Sequence, residues 1–463
     1  MEHEEDNDAS ESEETEAMKP LGMHFEPSQY NKKIKLSTRC HIFETLKTLD
    51  KLEHPLTSSE RDWFENHPQF KHIFHMPREP NHKLMGMWML LLRTAKIEKK
   101  KEAWFVVNGV PIRYGLREHA LMSGLDCRCY PLDYKEAGGT VFRRKYFLRK
   151  KKITLEDVRR HLLVMQPDRT RDRLKMAVLY FLGSIIAGYT KDSGRDAMGI
   201  DDFVVSAVND LGFCVSFPWG RLSFENMLEE ISHTMSHFNG VVVKENALWP
   251  VPGFCIPLEF LLFEAVPILA NTYVDQIPEA DASCPRMCRR KFKRTGQKGF
   301  PLKNIGDTLG TTTAIASVIP HNDEEIPLLD LIMEEAEEED THDVVVANWM
   351  WRLRRGLPVL LEEMYTADVA TRSGQNDANE EIVANEQPRE DTVELVDLLR
   401  TMKQDMKTQF DNISAKIDGL EKRIEPLEVY VKEQEKPKAP VADEQPSTSQ
   451  EGGRGTKRKR SKK

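Results

Sequence analysis

The chain has 463 residues, 40% hydrophobic and 30% charged, which allows one large domain or two ordinary ones diluted by solvated segments. Its net charge of −9 is segregated: residues 2–16 carry nine acids and no base, and residues 457–463 six bases and no acid. The acidic N-terminus excludes a secretory signal, the longest apolar stretch (176–187) is too short to span a bilayer, and seven scattered cysteines give no disulfide framework, so a soluble, intracellular chain with no membrane partner is expected.

Residues 1–30 are poor in core formers and are expected to form a disordered acidic head. A domain is expected over 38–275, with its core at about 60–270. Ile42, Phe43, Leu46 and Leu49 recur at helical spacing, and a second helix over 82–96 offers Leu84, Trp88, Leu91 and Leu92 to the core. Residues 103–107 and 110–114 flank Asn108-Gly109, a strong hairpin signal because both residues tolerate positive φ. Pro111 cannot donate to a ladder, so its strand belongs at an edge or pairs through its other face. A short helix from Leu116 to Ser123 follows, with Gly124 as left-handed C-cap. Leu116, Ala120 and Leu121 read as core, Arg117 and Glu118 as a solvated face.

Thr154 and Asp157 resemble a capping box opening a helix through Leu162 and Leu163. Residues 173–187 are apolar nearly all round, as a central buried helix would be. Asp201 or Asp202 is placed to cap a helix carrying Phe203, Val204, Ala207 and Leu211. Ser223 is a candidate cap after the turn that begins at Phe217, and Pro257 suits the first position of a helix over 258–266. The fold class is therefore mainly α with a small β-hairpin (α+β).

Beyond 275, a charged, partly ordered segment (276–343) leads to a short apolar helical segment (344–366), whose Trp349, Met350, Trp351 and Leu353 suit docking on the main domain. Residues 367–390 read as a polar linker. From Leu395 to Val431 apolar residues recur at three-and-four spacing, with one stutter between Met406 and Phe410, which predicts a coiled coil over 391–433. Pro426 kinks or ends it early. Such a helix approaches roughly 55 Å, too long to expose one apolar stripe, so a homo-oligomer or a coiled-coil partner protein is favoured over folding back. A disordered basic tail (434–463) ends in Lys457, Arg458, Lys459, Arg460, Lys462 and Lys463, which suit the acidic groove of a nuclear import receptor and predict a nuclear protein.

Two internal runs are basic. Residues 143–152 hold seven bases interleaved with Tyr146 and Phe147, and read as a surface loop whose aromatics anchor it. The later run is the better candidate for DNA or RNA, through Arg286, Arg289, Arg290, Lys291, Lys293 and Arg294, although it equally suits pairing with the acidic run 334–340. Cys127, Cys129, Cys284 and Cys288 lack the usual zinc-ribbon spacing and read as free thiols. His233 and His237 lack the glutamate of a zinc-protease helix and read as a solvated face. No metal or cofactor is expected.

Pro111-Ile112-Arg113-Tyr114-Gly115-Leu116-Arg117-Glu118-His119-Ala120-Leu121 and its continuation through Gly124 to Cys127 resemble the signature of the plant family called domain of unknown function 1985, typical of transposon-derived genes. Arg173 to Leu182 is similar to its central helix. Phe217-Pro218-Trp219-Gly220-Arg221-Leu222-Ser223-Phe224 is similar to its conserved turn, and Pro252-Gly253-Phe254 with Phe263-Glu264-Ala265-Val266-Pro267 to its closing motif. Gly115 replaces a usual capping Ser, His119 a usual aromatic, and Glu259 a common Gln. The resemblance implies no catalytic group, but relatives often continue into a cysteine protease domain of the ubiquitin-like-protein-specific class. Asp126-Cys127 imitates that nucleophile site, yet Arg128 replaces its glycine and Leu121 its oxyanion-hole glutamine, so no active site is expected.

The expected function is that of a non-enzymatic nuclear interaction protein of transposon origin, assembling through the coiled coil and contacting nucleic acid or chromatin through basic segments. The alternative is a recruiting or regulatory module of a ubiquitin-like-protein protease whose catalytic domain is missing from this chain. A zinc-dependent nucleic-acid module is a weaker third.

Overall fold

The computed structural model describes residues 18–38, 40, 42–76, 84–187, 199–278, 280, 284–294, 299–334 and 340–372. Residues 1–17, the expected linker beyond 372, the heptad segment 391–433 and the basic tail lie outside the described residues. Core side chains start early. Phe25 is fully buried, with ring centroids 6.2 Å from Trp88 and 6.0 Å from Phe238, and Tyr30 and Ile34 are buried too. Phe25 and Tyr30, expected within the head over 1–30, therefore belong to the packed fold: a few apolar side chains in a polar stretch suffice to fill slots between helices.

β1 (Lys35–Thr38) pairs in parallel with residues Leu248–Val251. α1 (Ile42–Asp50) buries Ile42, Leu46 and Leu49, as its spacing predicts. α2 (Ser58–Glu65) opens on a Thr57–Glu60 capping box, and the Glu60 carboxylate also pairs with the buried Arg173. α3 (Met85–Leu91) is buried all round and stops short of the predicted 96. There the Thr94 hydroxyl donates to Leu91 O (2.8 Å) and the Arg93 carbonyl accepts from Val106 N–H (2.9 Å), which draws the chain into the hairpin.

β2 (Ala103–Val107) and β3 (Val110–Tyr114) form the predicted antiparallel hairpin, with Asn108 and Gly109 at φ 47° and 71°. The outer edge of β3 is used at Arg113, whose N–H donates to Ser317 O (2.8 Å). α4 (Leu116–Ser123), α5 (Val141–Phe147) and α6 (Leu155–Val164) follow. α6 has the predicted box: Asp157 N–H donates to Thr154 Oγ1 (3.2 Å) and Thr154 N–H to Asp157 Oδ2 (3.1 Å). α7 (Asp172–Phe181) runs into a π turn at Leu182–Ile186 and is buried nearly throughout.

The helix predicted through Leu211 is two helices, α8 (Asp202–Ala207) and α9 (Leu211–Ser216). Each has its own cap: Asp201 accepts from Phe203 N–H (2.7 Å) and Asp210 from Gly212 N–H (2.9 Å). α10 (Trp219–Phe238) begins at Pro218, so Ser223 lies inside it rather than at its cap. β4 (Leu248–Val251) is the partner of β1. α11 (Ile256–Ala265) is buried almost completely and packs on α3, α4 and α12 (Pro267–Tyr273). Its Glu259 accepts from the N–H groups of Gly86 (3.2 Å) and Met87 (2.5 Å), satisfying the first turn of α3 from outside.

β5 (Val274–Gln276) and β6 (Arg290–Phe292) form a short antiparallel pair. α13 (Leu302–Leu309), α14 (Ile326–Ile332), α15 (Val344–Arg354) and α16 (Glu362–Arg372) complete the described chain. The apolar segment does dock: Trp349 is fully buried, its ring 5.1 Å from Trp104, and its indole N–H donates to Met18 O (2.8 Å). Where a linker from 367 is expected, α16 continues to Arg372. Its Asp368 is buried because it holds the equally buried Arg93 through two bonds of 2.7 and 2.6 Å, and it also accepts from Asn108 N–H (3.0 Å). The hairpin tip is therefore interior: Asn108 Nδ2 donates to Gly310 O (3.1 Å) and Thr312 O (2.8 Å), and Gly109 O accepts from Leu361 N–H (2.8 Å). The fold is mainly α, about half helical, with short strands. Among the described residues no single helix is long and apolar enough to cross a membrane.

Candidate functional site

The block at 111–127 and the turn at 217–224, far apart in the chain, build one unit. Gly124 ends α4 at φ 66°, and a Cβ there would lie 2.1 Å from Pro285 Cγ, so both conformation and crowding call for glycine. The chain then crosses the start of α10. Asp126 O accepts from Gly220 N–H (2.7 Å) and Arg221 N–H (3.2 Å), and a Cβ on Gly220 would meet Cys127 Sγ at 2.6 Å.

Behind this joint, Tyr114, His119 and Ser223 are linked in the interior: the Tyr114 hydroxyl to His119 Nδ1 and His119 Nε2 to Ser223 Oγ, both 2.8 Å. Ser223 donates to Gly220 O (2.9 Å), so its oxygen accepts from Nε2–H and Nδ1 accepts from Tyr114. A nucleophilic serine needs the opposite polarity, with the imidazole taking its proton. Burial lowers the His119 pKa to about 3 and keeps the ring neutral. Burial likewise pushes the Cys127 thiol up, away from the reactive thiolate. The motif residues are occupied in packing.

Glu118, expected on a solvated face, is fully buried. Its carboxylate accepts from Gly115 N–H (3.0 Å) and pairs with Arg113 at 2.9 and 3.1 Å, which makes the half of a capping box that needs no side chain at Gly115. Leu116, expected in the core, is half-buried at the floor of a cleft of about 1130 Å³.

Two helices form the walls of this cleft. α10 presents Arg221, Phe224, Glu225, Leu228, Glu229 and Ser232, all on one face at three-and-four spacing. α15 presents Val346, Ala347, Met350, Trp351, Arg354 and Arg355. Each stripe runs about three turns, roughly 15 Å. At one end Asp340 accepts from the N–H groups of Lys100 and Lys101, both at 3.1 Å, while Asp343 accepts from Glu98 N–H (2.7 Å) and caps α15 at Val346 N–H (2.9 Å). Burial is the main cause that raises the Glu102 carboxyl here. Trp351 is 48% exposed, with the Arg355 guanidinium 3.7 Å above its ring. The cleft is thus lined by apolar and charged side chains together, with Phe224, Leu228, Val346 and Met350 among the first and Arg113, Arg221 and Asp343 among the second.

Residues 91–230 match the model of a family described as a domain of unknown function, DUF1985. The chain carries a DUF1985 domain. Residues 315–365 match the model of a family described as a Drosophila protein of unknown function, DUF287. An uncharacterized protein of Arabidopsis thaliana is 30% identical over 454 residues, which cover 92% of this chain and 59% of that protein. The chain therefore spans about three fifths of the length of this relative. No solved structure matches. Nearly all of the α10 wall lies in the DUF1985 domain, and the α15 wall lies in the segment matching the second family.

The candidate nucleic-acid residues after the DUF1985 domain are divided by their surroundings. Arg286 donates to Glu325 (2.9 and 2.8 Å), Glu264 (3.0 Å) and Pro320 O (2.5 Å); Arg289 pairs with Glu325, and Arg290 with Glu264 (2.7 Å). Burial alone would raise Glu325, but the Arg286 hydrogen bonds, the Asn322 N–H and the charges of Arg286 and Arg289 outweigh it and bring the carboxyl to about 2. These three guanidinium groups face acids inside the fold, Glu264 and Glu325, while residues 335–339 of the suggested acidic run lie outside the described residues. Lys291 lies in β6, Lys293 reaches Asn271 O (2.6 Å), and Arg294 is exposed.

The run 143–152 comprises α5 and the turn after it, not a loop, and Phe142 and Phe147 are its buried anchors. Cys127 and Cys288 are buried, and among the described residues no three metal-binding side chains gather as a metal would require. His233 and His237 are exposed and flank Trp249, with ring centroids at 5.6 and 4.1 Å. The candidate localisation residues 457–463 lie outside the described residues.

Proposed function

We propose that this is a non-enzymatic nuclear interaction protein, of the transposon origin that the family resemblance implies, which holds an amphipathic helix of a partner protein in the cleft and joins copies through the 391–433 seam. The observation that carries this reading is the pair of helical stripes facing one another across about 1130 Å³ of open space. A third helix with apolar residues at three-and-four spacing would complete that packing, as in helix-in-groove recognition. The occupation of the motif residues in packing also supports a binding role over a chemical one.

A photo-crosslinking residue at position 228 of the full-length protein tests the cleft. Cross-links should map to an amphipathic helical segment of one partner and disappear when Met350→Arg is added; cross-links scattered over unrelated peptides would sink the reading. Sedimentation of the full chain tests the seam, with the wild type an oligomer and the Ile413→Asp, Ile417→Asp variant a monomer.

The second reading, a recruiting module for a ubiquitin-like-protein protease, is favoured by one fact: the Arabidopsis relative has length beyond the part this chain matches. Activity of a separate protease domain that rises when this protein is added would support it.

A further inference from the structure

Residues 141–175 hold thirteen bases and four acids, in a chain that is net acidic. The structure sorts these charges by direction. Asp157 and Asp172 are buried, the first in the α6 cap and the second accepting from Lys145 (2.5 Å) and the Tyr146 hydroxyl (3.0 Å). Asp168 accepts from the first N–H groups of α7, at Asp172 (3.1 Å) and Arg173 (2.9 Å), and Glu156 pairs with Arg159 (3.4 Å). Asp202, from α8, pairs with Arg143. Of the thirteen bases, Arg173 alone is buried, and ten are exposed.

The exposed bases lie on α5, the turn after it, α6 and the segment leading into α7, which are tied to one another. Lys145 ties α5 to the start of α7, Lys150 ties the following turn to Asp157 of α6 (2.7 Å), and Phe147 packs edge-on against His161 (5.3 Å). Arg144, Arg149, Lys151 and Lys152 are thus exposed on a segment anchored by the buried Phe142 and Phe147 and joined to α6, with its exposed Arg159 and Arg160, where Lys150 and Arg160 both reach Asp157 (2.7 and 3.9 Å). Arg171 and Lys175 line a shallow recess of about 460 Å³.

We propose that this face binds the phosphate backbone of nucleic acid without reading its sequence. It deepens the reading of a nuclear interaction protein and moves its nucleic-acid contact from 286–294 to 143–175. A duplex carries one charge per roughly 1.7 Å of its axis, a density that a broad spread of flexible cations matches and a single carboxylate peptide does not. The exposed apolar side chains here are isolated aliphatics (Val141, Leu148 and Val164), and the two phenylalanines are buried, so the face lacks the aromatic insertions of a membrane-surface site.

The test uses full-length protein with Lys457, Arg458, Lys459 and Arg460 changed to Ala, so that the tail does not contribute, and a short random-sequence DNA duplex. Against that background the variant Arg144→Gln, Arg149→Gln, Lys151→Gln, Lys152→Gln is compared by fluorescence anisotropy between about 50 mM and about 200 mM salt. The background protein should bind with a steep salt dependence. The variant should bind at least about tenfold more weakly, with the slope of log affinity against log salt smaller by about three to four, near 0.9 per lost phosphate contact. No binding by the background protein, or an unchanged affinity and slope in a variant with an unchanged melt, would overturn the proposal. So would tighter binding to polyglutamate or to anionic lipid vesicles than to DNA. Sedimentation of the background protein separates the two readings: a monomer that still binds DNA refutes the seam and not this face.

Discussion

Gly124 and Gly356 both hold left-handed backbone, at φ 66° and 73°, yet only Gly124 is crowded: a Cβ on Gly356 would meet nothing within 4 Å. Gly356→Ala should therefore cost about 1–2 kcal/mol, from backbone strain alone. Gly124→Ala should cost more, by a further ~1–3 kcal/mol of overpacking against Pro285. Urea denaturation of the two variants checks this, and equal losses would mean that the Pro285 contact yields freely. Glu325 sets a pH dependence. Its folded pKa of about 2 lies below the ordinary value of 4.5, so between the two the unfolded chain binds more protons and stability rises with pH. The contribution is whole above about 4.5 and is lost as pH falls toward 2. Glu325→Gln should lower stability at neutral pH and flatten that acid limb in denaturation measured across pH.

Trp349 is where α15 meets the hairpin, through Trp104, and the N-terminal segment, through the carbonyl of Met18. Trp349→Ala should cost about 3–5 kcal/mol and loosen residues 340–372 before the rest, a sequence of events visible by hydrogen exchange. Elements set by neighbouring residues were legible in the chain: the α1 stripe, the Asn108-Gly109 hairpin, the Thr154 box and the Gly124 stop. Legibility failed where a distant residue decides. Glu118 and Asp368 read as surface because charge ordinarily means exposure, and nothing local announces that Arg113 and Arg93 wait for them. The cleft was invisible for the same reason. The α10 stripe at 221–232 looks like any half-buried helix until α15 stands opposite it.

The segment that matches DUF1985 is not a self-sufficient body. Its Arg93 is neutralised by Asp368, its Trp104 is covered by Trp349, and its Gly124 is closed by Pro285. Removing one member of a buried ion pair costs about 3–5 kcal/mol, a large share of a domain's total stability. A fragment of residues 91–230 should therefore lack a cooperative thermal transition and near-ultraviolet dichroism, whereas residues 18–372 should show both. A cooperative melt of the short fragment would refute this account.

The chain contains a second Asn-Gly pair, Asn239-Gly240, at the C-cap of α10, where Asn239 is exposed at φ 43°. Asn-Gly ages chemically: the glycine nitrogen attacks the asparagine amide carbon, ammonia leaves as a succinimide ring closes, and water opens that ring to aspartate or isoaspartate. The Asn108 amide is pinned by Gly310 O and Thr312 O, and Arg372 holds its oxygen, so it is not free to swing onto the nitrogen of Gly109. Peptide mapping of stored protein should find isoaspartate accumulating at 239 while 108 stays intact. Equal accumulation at 108 would report that the hairpin tip opens. With 108 intact, the buried turn protects not only the shape of the protein but its lifetime.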